Sequence, residues 1–297
     1  MSGQIEKMTS RLADPVEYHL PIGDEQVALN PFLERWLKLS FAGVITCIAC
    51  GAKTKRSFSQ GYCYPCCMRL AQCDLCIVKP ETCHYHLGTC REPEWGDQHC
   101  MIPHYVYLAN ASGLKVGITR TSQVPTRWID QGATQALKIL KVQTRRQSGL
   151  MEVAIKQFVA DKTNWQAMLK GQAASVDLVQ QRDVLLDHVG DAIQAVNEQF
   201  KGPVVQQRDT PLKQVDGAIK AVNEQFKGPD VEVLDERPVD IAYPVLQYPQ
   251  KVRSFNLDKN PEAEGVLQGI KGQYLIFDTG VINLRKYTGY HLTLQIN

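Results

Sequence analysis

The sequence has no apolar run long enough to cross a bilayer. Its longest, "FAGVITCIAC" at 41–50, falls well short of the roughly 20 residues that a spanning helix needs. The opening stretch, "MSGQIEKMTSRLADP", lacks the apolar core of a secretory signal. These two absences lead to the expectation of a cytoplasmic chain with no membrane partner. Net charge is also scarce. Lys and Arg total 33 and Asp and Glu 31, a formal +2, so the chain as a whole is not a polycation. Charge is less even locally. Lys115, Arg120, Arg127, Lys138, Lys141, Arg145 and Arg146 face the lone Asp130 over residues 115–146. That stretch reads either as a cationic patch or as a solvated face.

What the sequence does have is cysteine, ten residues of it. In a reducing compartment thiols hold metals more often than they form disulfides. Cys47-Ile-Ala-Cys50 and Cys63-Tyr-Pro-Cys66 are two Cys-x-x-Cys pairs joined by a loop, a spacing that brings four thiolates onto one structural Zn²⁺. A closed four-thiolate site has no open position for catalysis. The joining loop carries Lys53, Lys55 and Arg56 with Phe58, then Tyr62, a mixture suited to nucleic acid or to plain solvent. Cys73 and Cys76 form a third pair and imply a second zinc. Cys83, Cys90 and Cys100 compete to complete it, with Cys83 and Cys90 preferred and Cys67 left spare.

The remaining pattern is α+β. Residues 1–46 read as an N-terminal β segment, with strand-like "PVEYHLPIG" and "KLSFAGVIT". Residues 47–102 form the cysteine-rich zinc-ribbon region. From 103 to 172 the order is strand, strand, helix, strand, helix: "HYVYLAN" and "LKVGITR", then "QVPTRWIDQGA", "ALKILKVQT" and "SGLMEVAIKQFVA". The last of these has helical spacing at Leu150, Val153, Ala154 and Phe158. Residues 173–232 contain a tandem duplication. "VQQRDVLLDHVGDAIQAVNEQFKGP" starts at Val179 and "VQQRDTPLKQVDGAIKAVNEQFKGP" at Val205. Each copy spaces its apolar residues as an amphipathic helix, Leu186, Val189, Ile193, Val196, Phe200 and then Leu212, Val215, Ile219, Val222, Phe226. Such helices either pack on their own domain or offer a surface for self-association. Residues 233–297 return to short strands, in "IAYPVLQYP", "GVLQGIKGQYLIFDTGVINL" and "GYHLTLQI". They read as a small antiparallel β unit that pairs with the N-terminal strands.

"VYLANASGLKVGIT" at 106–119, followed by Arg127 in "PTRWIDQ" and Glu152 in "SGLMEVAIKQ", resembles the GIY-YIG nuclease superfamily. The resemblance covers about residues 103–170. It implies a small three-stranded sheet flanked by helices and cleavage of phosphodiesters with a divalent metal, Mg²⁺ or Mn²⁺. Val106-Tyr107 stands where the first half-motif ends and Lys115-Val116-Gly117 where the second lies. Arg127 matches the helix arginine, Glu152 the metal-binding glutamate, and Asn164 in "KTNW" the late asparagine of some members. Tyr105 stands in place of the leading glycine, Lys115 in place of a tyrosine, and Gln131 where many members carry His or Tyr. The chain also resembles an uncharacterised bacterial family in which a cysteine-rich zinc region precedes this module. The phrases "GTCREPEWG", "VYLANASGLKVGITR", "RWIDQGA" and "GIKGQYLI" carry that second resemblance.

The resemblance implies a division of labour. Glu152 would hold the metal and Arg127 the non-bridging oxygens. Tyr107 would orient a water, or deprotonate it if its pKa falls toward neutral, and Lys115 would lower that pKa or touch phosphate. Gly117, Arg120, Asn164, Lys53, Lys55 and Arg56 would contact the nucleic acid. Each residue also has a structural reading. Tyr107 can fill a core, Lys115 can end an exposed strand, Arg127 and Glu152 can pair as ions, and Gly117 can admit a close backbone. The departures at Tyr105, Lys115 and Gln131 suit a second hypothesis, a non-catalytic protein that binds DNA, RNA or the ribosome. A third is a protein-interaction scaffold built on the duplicated helices.

Overall fold

The computed structural model describes residues 1–200 and 230–297. The second copy of the repeat, with Leu212, Val215, Ile219, Val222 and Phe226, lies outside the described residues. The chain is a mixed α+β protein of several antiparallel sheets and mostly short helices.

Both ends of the chain build the largest sheet. Its order is β1 (Ser2–Gln4), β15 (Tyr290–Ile296), β5 (Trp36–Thr46), β12 (Glu262–Lys271), β13 (Tyr274–Phe277) and β14 (Val281–Asn283), with β6 (Lys53–Thr54) added at the far end of β5. β15 therefore lies between two strands from the first 46 residues, and β12 continues the sheet from β5. Opposite Tyr290–Leu292, β5 runs from Ile45 to Phe41, so it bulges there. Gly43 takes φ +74° inside the bulge, a left-handed conformation that a side chain would strain. A smaller sheet of β2 (Thr9–Arg11), β3 (Glu17–Ile22) and β4 (Glu25–Ala28) stands beside it. "IAYPVLQYP" forms no strand of its own. Val245 makes only an isolated bridge to Gly269.

The central sheet has β7 (His104–Asn110) in the middle. β8 (Leu114–Arg120) is on one side. β9 (Gln135–Val142) is on the other, and carries β10 (Val231–Val233) and β11 (Val239–Asp240) on its outer edge. α3 (Thr126–Asp130) connects β8 to β9, and α4 (Arg145–Ile155) follows β9. Alternation along β7 separates two cores. Tyr107 and Ala109 enter a core shared with β3, β5, β12, β13 and β15, while Val106 and Leu108 enter a second core under α4 and α6 (Leu178–Gln199). β7 therefore reads as a nearly continuous apolar run because both of its faces are covered.

α4 starts earlier than its apolar spacing predicts. Thr144 and Gln147 form a capping box, the Thr144 hydroxyl accepting the Gln147 N–H and the Gln147 side chain accepting the Thr144 N–H. The helix buries Gln147, Ser148, Met151 and Ile155, and ends before Phe158, which is exposed. In α6 the first repeat copy packs on the chain's own second core. It buries Leu178, Leu185, Val189 and Val196, with Leu186, Ile193 and Phe200 half-buried beside them. α1 (Tyr64–Arg69), α2 (Pro93–His99) and several single 3-10 turns make up the cysteine-rich region, and α5 (Trp165–Met168) follows α4. Among the described residues no helix is long and apolar enough to cross a membrane.

Candidate functional site

The hairpin β7–β8 sets Tyr107 directly opposite Gly117 and Ala109 opposite Lys115. Gly117 is needed there. A Cβ on it would lie 2.6 Å from the Tyr107 hydroxyl, so the ring lies flat across the strand where only glycine leaves room. Tyr107 is fully buried, packs edge-on against Trp128 of α3, and donates its hydroxyl proton to Gln131 Oε1 at 3.0 Å. Burial pushes its pKa up, the Glu152 charge adds to this, and the approach of the Arg127 guanidinium opposes it. The phenol therefore stays protonated at neutral pH. The condition for Tyr107 to deprotonate a water is not met, and the side chains that move its pKa most are Arg127, Glu152 and Gln131.

Lys115, Arg127 and Glu152 lie within reach of one another's charges. Lys115 is only 4% exposed, and burial lowers its pKa to about 8, with Arg127 adding repulsion and Glu152 and Asp161 opposing. Glu152, on α4, is pushed up by burial and by Asp161, against the pull of Arg127, Lys115 and Arg145. A contact ion pair would move both groups the other way, the carboxyl down and the amine up. No ion pair joins Glu152 to Lys115 or Arg127 among the described residues. β8 is the outer strand, and the chain after α4 runs along its edge, where the Val116 N–H donates to the Ala160 carbonyl at 2.8 Å. Asp161 follows directly.

The remaining proposed contacts scatter. Arg120 ends β8 opposite His104, near Cys100 and Arg145. Asn164 spends its side chain as the N-cap of α5, accepting from the Ala167 N–H at 3.1 Å, while its own N–H donates to Ser112 Oγ. Lys53, Lys55 and Arg56 lie beside the first cysteine group, and Phe58 there stacks edge-on with Tyr64.

Cys47, Cys50, Cys63 and Cys66 bring their sulfurs within 4.8 Å of one another. The Cys50 and Cys63 sulfurs are 3.8 Å apart. Tetrahedral zinc, with Zn–S near about 2.3 Å, sets its sulfurs about 3.8 Å apart, so the donor set and its size fit that ion. Gly51 takes φ +69° after the first pair, and its N–H donates to the Cys47 carbonyl at 2.8 Å. Burial resists ionising Cys47, but backbone N–H groups around it outweigh this and draw the thiol down to about 6. Cys66 is pushed up to about 12, chiefly by sharing a proton with Cys63. Four thiols this close cannot all ionise without a cation among them.

The second group departs from the expected ligands. Cys73 sits with Cys67 and Ser59, against the first group, because the turn Ala71–Cys73 packs there. Cys76 and Cys83 are close enough to share a proton, and Cys90 and Cys100 both lie within range of the Cys83 charge. Asp74, Cys76 and His84 also converge. Asp74 holds Arg91 Nε at 2.6 Å through Oδ2, while its Oδ1 faces His84 Nε2 at 3.6 Å.

A family model described as "Protein of unknown function (DUF2797)" matches residues 34–292. The chain belongs to the DUF2797 family. No curated protein and no solved structure matches it. The match spans every cysteine and all four of Tyr107, Lys115, Arg127 and Glu152, and leaves out β1 to β4. In this DUF2797 chain two members of the central group carry no sequence signal. Gln131 reads only as a departure from a motif, yet it takes the Tyr107 proton. Asp161 lies beyond the end of α4, where no helical spacing ties it to Glu152.

Proposed function

We propose that this chain binds nucleic acid at the β8 edge and hydrolyses phosphodiesters there, as the resemblance to GIY-YIG nucleases implies. The observation that carries this reading is the unpaired state of buried Lys115 and half-buried Glu152 beside Arg127. Both groups remain half-satisfied, as a site awaiting a phosphate and a cation would be. Arg127 is suited to grip two non-bridging oxygens, and Lys115, charged below about pH 8, to meet a third. Arg145 and Arg285 add to the positive field. Tyr107, held by Gln131, positions without titrating. A hard cation of the Mg²⁺ or Mn²⁺ class at Glu152, with Asp161 nearby, would neutralise charge developing on the phosphate. Zinc in the four-thiolate group has a structural part only.

A non-catalytic DNA-, RNA- or ribosome-binding role is favoured by one fact. Tyr107 is fully buried and raised in pKa, so the site lacks a tyrosine base. The test is incubation with structured and single-stranded DNA and RNA plus Mg²⁺ or Mn²⁺, wild type against Glu152→Gln. The nuclease reading expects cleavage that the variant loses by about a hundredfold or more. Equal background from both proteins, with salt-sensitive binding retained, transfers the site to the binding role. No binding by either at low salt ends both.

A further inference from the structure

Cys76, Cys83, Cys90 and Cys100 all line one cavity of about 10 Å³, room for a single small atom. They come from four separate stretches, so the cavity closes a loop-rich region with little core of its own. Around the thiols is a polar collar. Asp74 accepts from the Cys76 N–H at 3.2 Å, holds Arg91 at 2.6 Å and faces His84 Nε2 at 3.6 Å, while His84 Nδ1 contacts Thr89 Oγ1 at 2.7 Å. Asp74, His84 and Arg91 line the same cavity, and the ligand atoms of Asp74, Cys76 and His84 lie within 4.8 Å of one another, but the second Asp74 oxygen is held by Arg91 and the second His84 nitrogen by Thr89.

The same stretches grip the start of α4. The Arg145 side chain donates to the Ile77 carbonyl at 2.6 Å, and the Arg145 N–H donates to the Cys100 carbonyl at 2.8 Å. Gly149, one turn on, lets the chain at Pro80–Glu81 approach so closely that a Cβ would lie 2.4 Å from the Glu81 nitrogen. We propose that Cys76, Cys83, Cys90 and Cys100 hold a second zinc-class ion, and that this ion fixes the first turns of α4. Soft thiolates in a closed set of four select such an ion over Mg²⁺ or Ca²⁺. Cys73 and Cys67 are not ligands. This inference does not depend on any nuclease activity.

The test counts metal on the full chain by elemental analysis and reads the ligands by cadmium NMR after exchange. The wild type is expected to carry two ions, both with four-sulfur shifts. Cys73→Ser keeps two, and Cys100→Ser drops to one, with amide exchange quickening in α4. A single ion in the wild type overturns the proposal. So does a second signal shifted by nitrogen or oxygen ligands, as Asp74, Cys76 and His84 would give, and so does loss of an ion from Cys73→Ser. The wild-type cadmium spectrum decides even where Cys100→Ser fails to fold.

Discussion

Lys115 shows how much a single residue can reveal. Its folded pKa of about 8 lies below the ordinary 10.5, because burial first and Arg127 second disfavour the ammonium. The sign follows by linkage. Below pH 8 the amine is charged in both states and the fold bears the penalty. Between pH 8 and 10.5 the folded chain loses the proton while the unfolded chain keeps it, so the penalty shrinks and stability rises with pH. The cost near neutral pH is on the order of 3 kcal/mol. Lys115→Met is therefore expected to be the more stable protein at pH 7, by up to about 3 kcal/mol in urea unfolding. The gap should close toward pH 10.5. An unchanged gap across that range would show that the amine is not strained. In the other direction, phosphate binding should weaken as pH rises through 8, as the charge disappears. The sequence groups Tyr107, Lys115, Arg127 and Glu152 only through a resemblance in motif order, and the fold sets them within range of one another's charges. Their state is not legible in the sequence. Tyr107 stays protonated because strands far away in the chain bury it, and Lys115 is left without an ion pair by the way β8, α3 and α4 meet, neither of which a local pattern encodes.

At the scale of elements, the strands and helices of the central region are legible from alternation and from Pro125 and Gly132. The start of α4 is not. Its first turn is polar, and the capping box with the Pro80–Glu81 contact places it, not an apolar stripe. The pairs Cys47–Cys50 and Cys63–Cys66 are readable from their spacing, but Cys73–Cys76 misleads, because Cys73 packs against the first group. Cys100 is only one of several candidates in the sequence, and it comes to line a cavity with Cys76, Cys83 and Cys90 through the fold. Two glycines on helices separate propensity from packing. Glycine to alanine in a helix interior ordinarily stabilises by about 0.5–1 kcal/mol. At Gly190 in α6 nothing lies within 4 Å of where a Cβ would stand, so Gly190→Ala should follow that rule. Gly149→Ala should reverse it. The methyl meets backbone at Pro80–Glu81, which cannot swing aside, and overpacking of this kind costs about 1–3 kcal/mol. Urea midpoints for the two variants should move in opposite directions. A Gly149→Ala midpoint above wild type would mean that the contact is loose, and that α4 is not held from that side.

For the whole molecule, the sequence divides into five segments and the structure ties them together again. The core that takes Tyr107, Trp128, Ile129 and Ala133 is the same core that takes Leu20, Leu39, Leu267 and Leu294. Asp130, at the end of α3, receives Lys7 Nζ at 2.7 Å and Gln273 Nε2 at 2.8 Å, and Gln273 also bonds both backbone groups of Met8. Tyr243 donates to the Ala133 carbonyl at 2.8 Å. Residues 103–172 alone would expose the Tyr107 and Trp128 side of their sheet to water and leave Asp130 without its partners. That fragment should not fold, and in the full chain with zinc present the central and terminal sheets, which share one core, should unfold together. Tryptophan makes this measurable, since Trp36 is in the terminal sheet and Trp128 under the central one. Fluorescence of the Trp36→Phe and Trp128→Phe proteins, together with far-UV circular dichroism, should give coincident urea midpoints once each variant's own stability is allowed for. Two separated transitions, or a cooperative fold in the 103–172 fragment, would mean that the shared core is a contact between independent domains. The candidate site would then owe nothing to the termini. If the midpoints coincide, the core that buries Tyr107 and Trp128 beneath the candidate site is maintained by the chain as a unit.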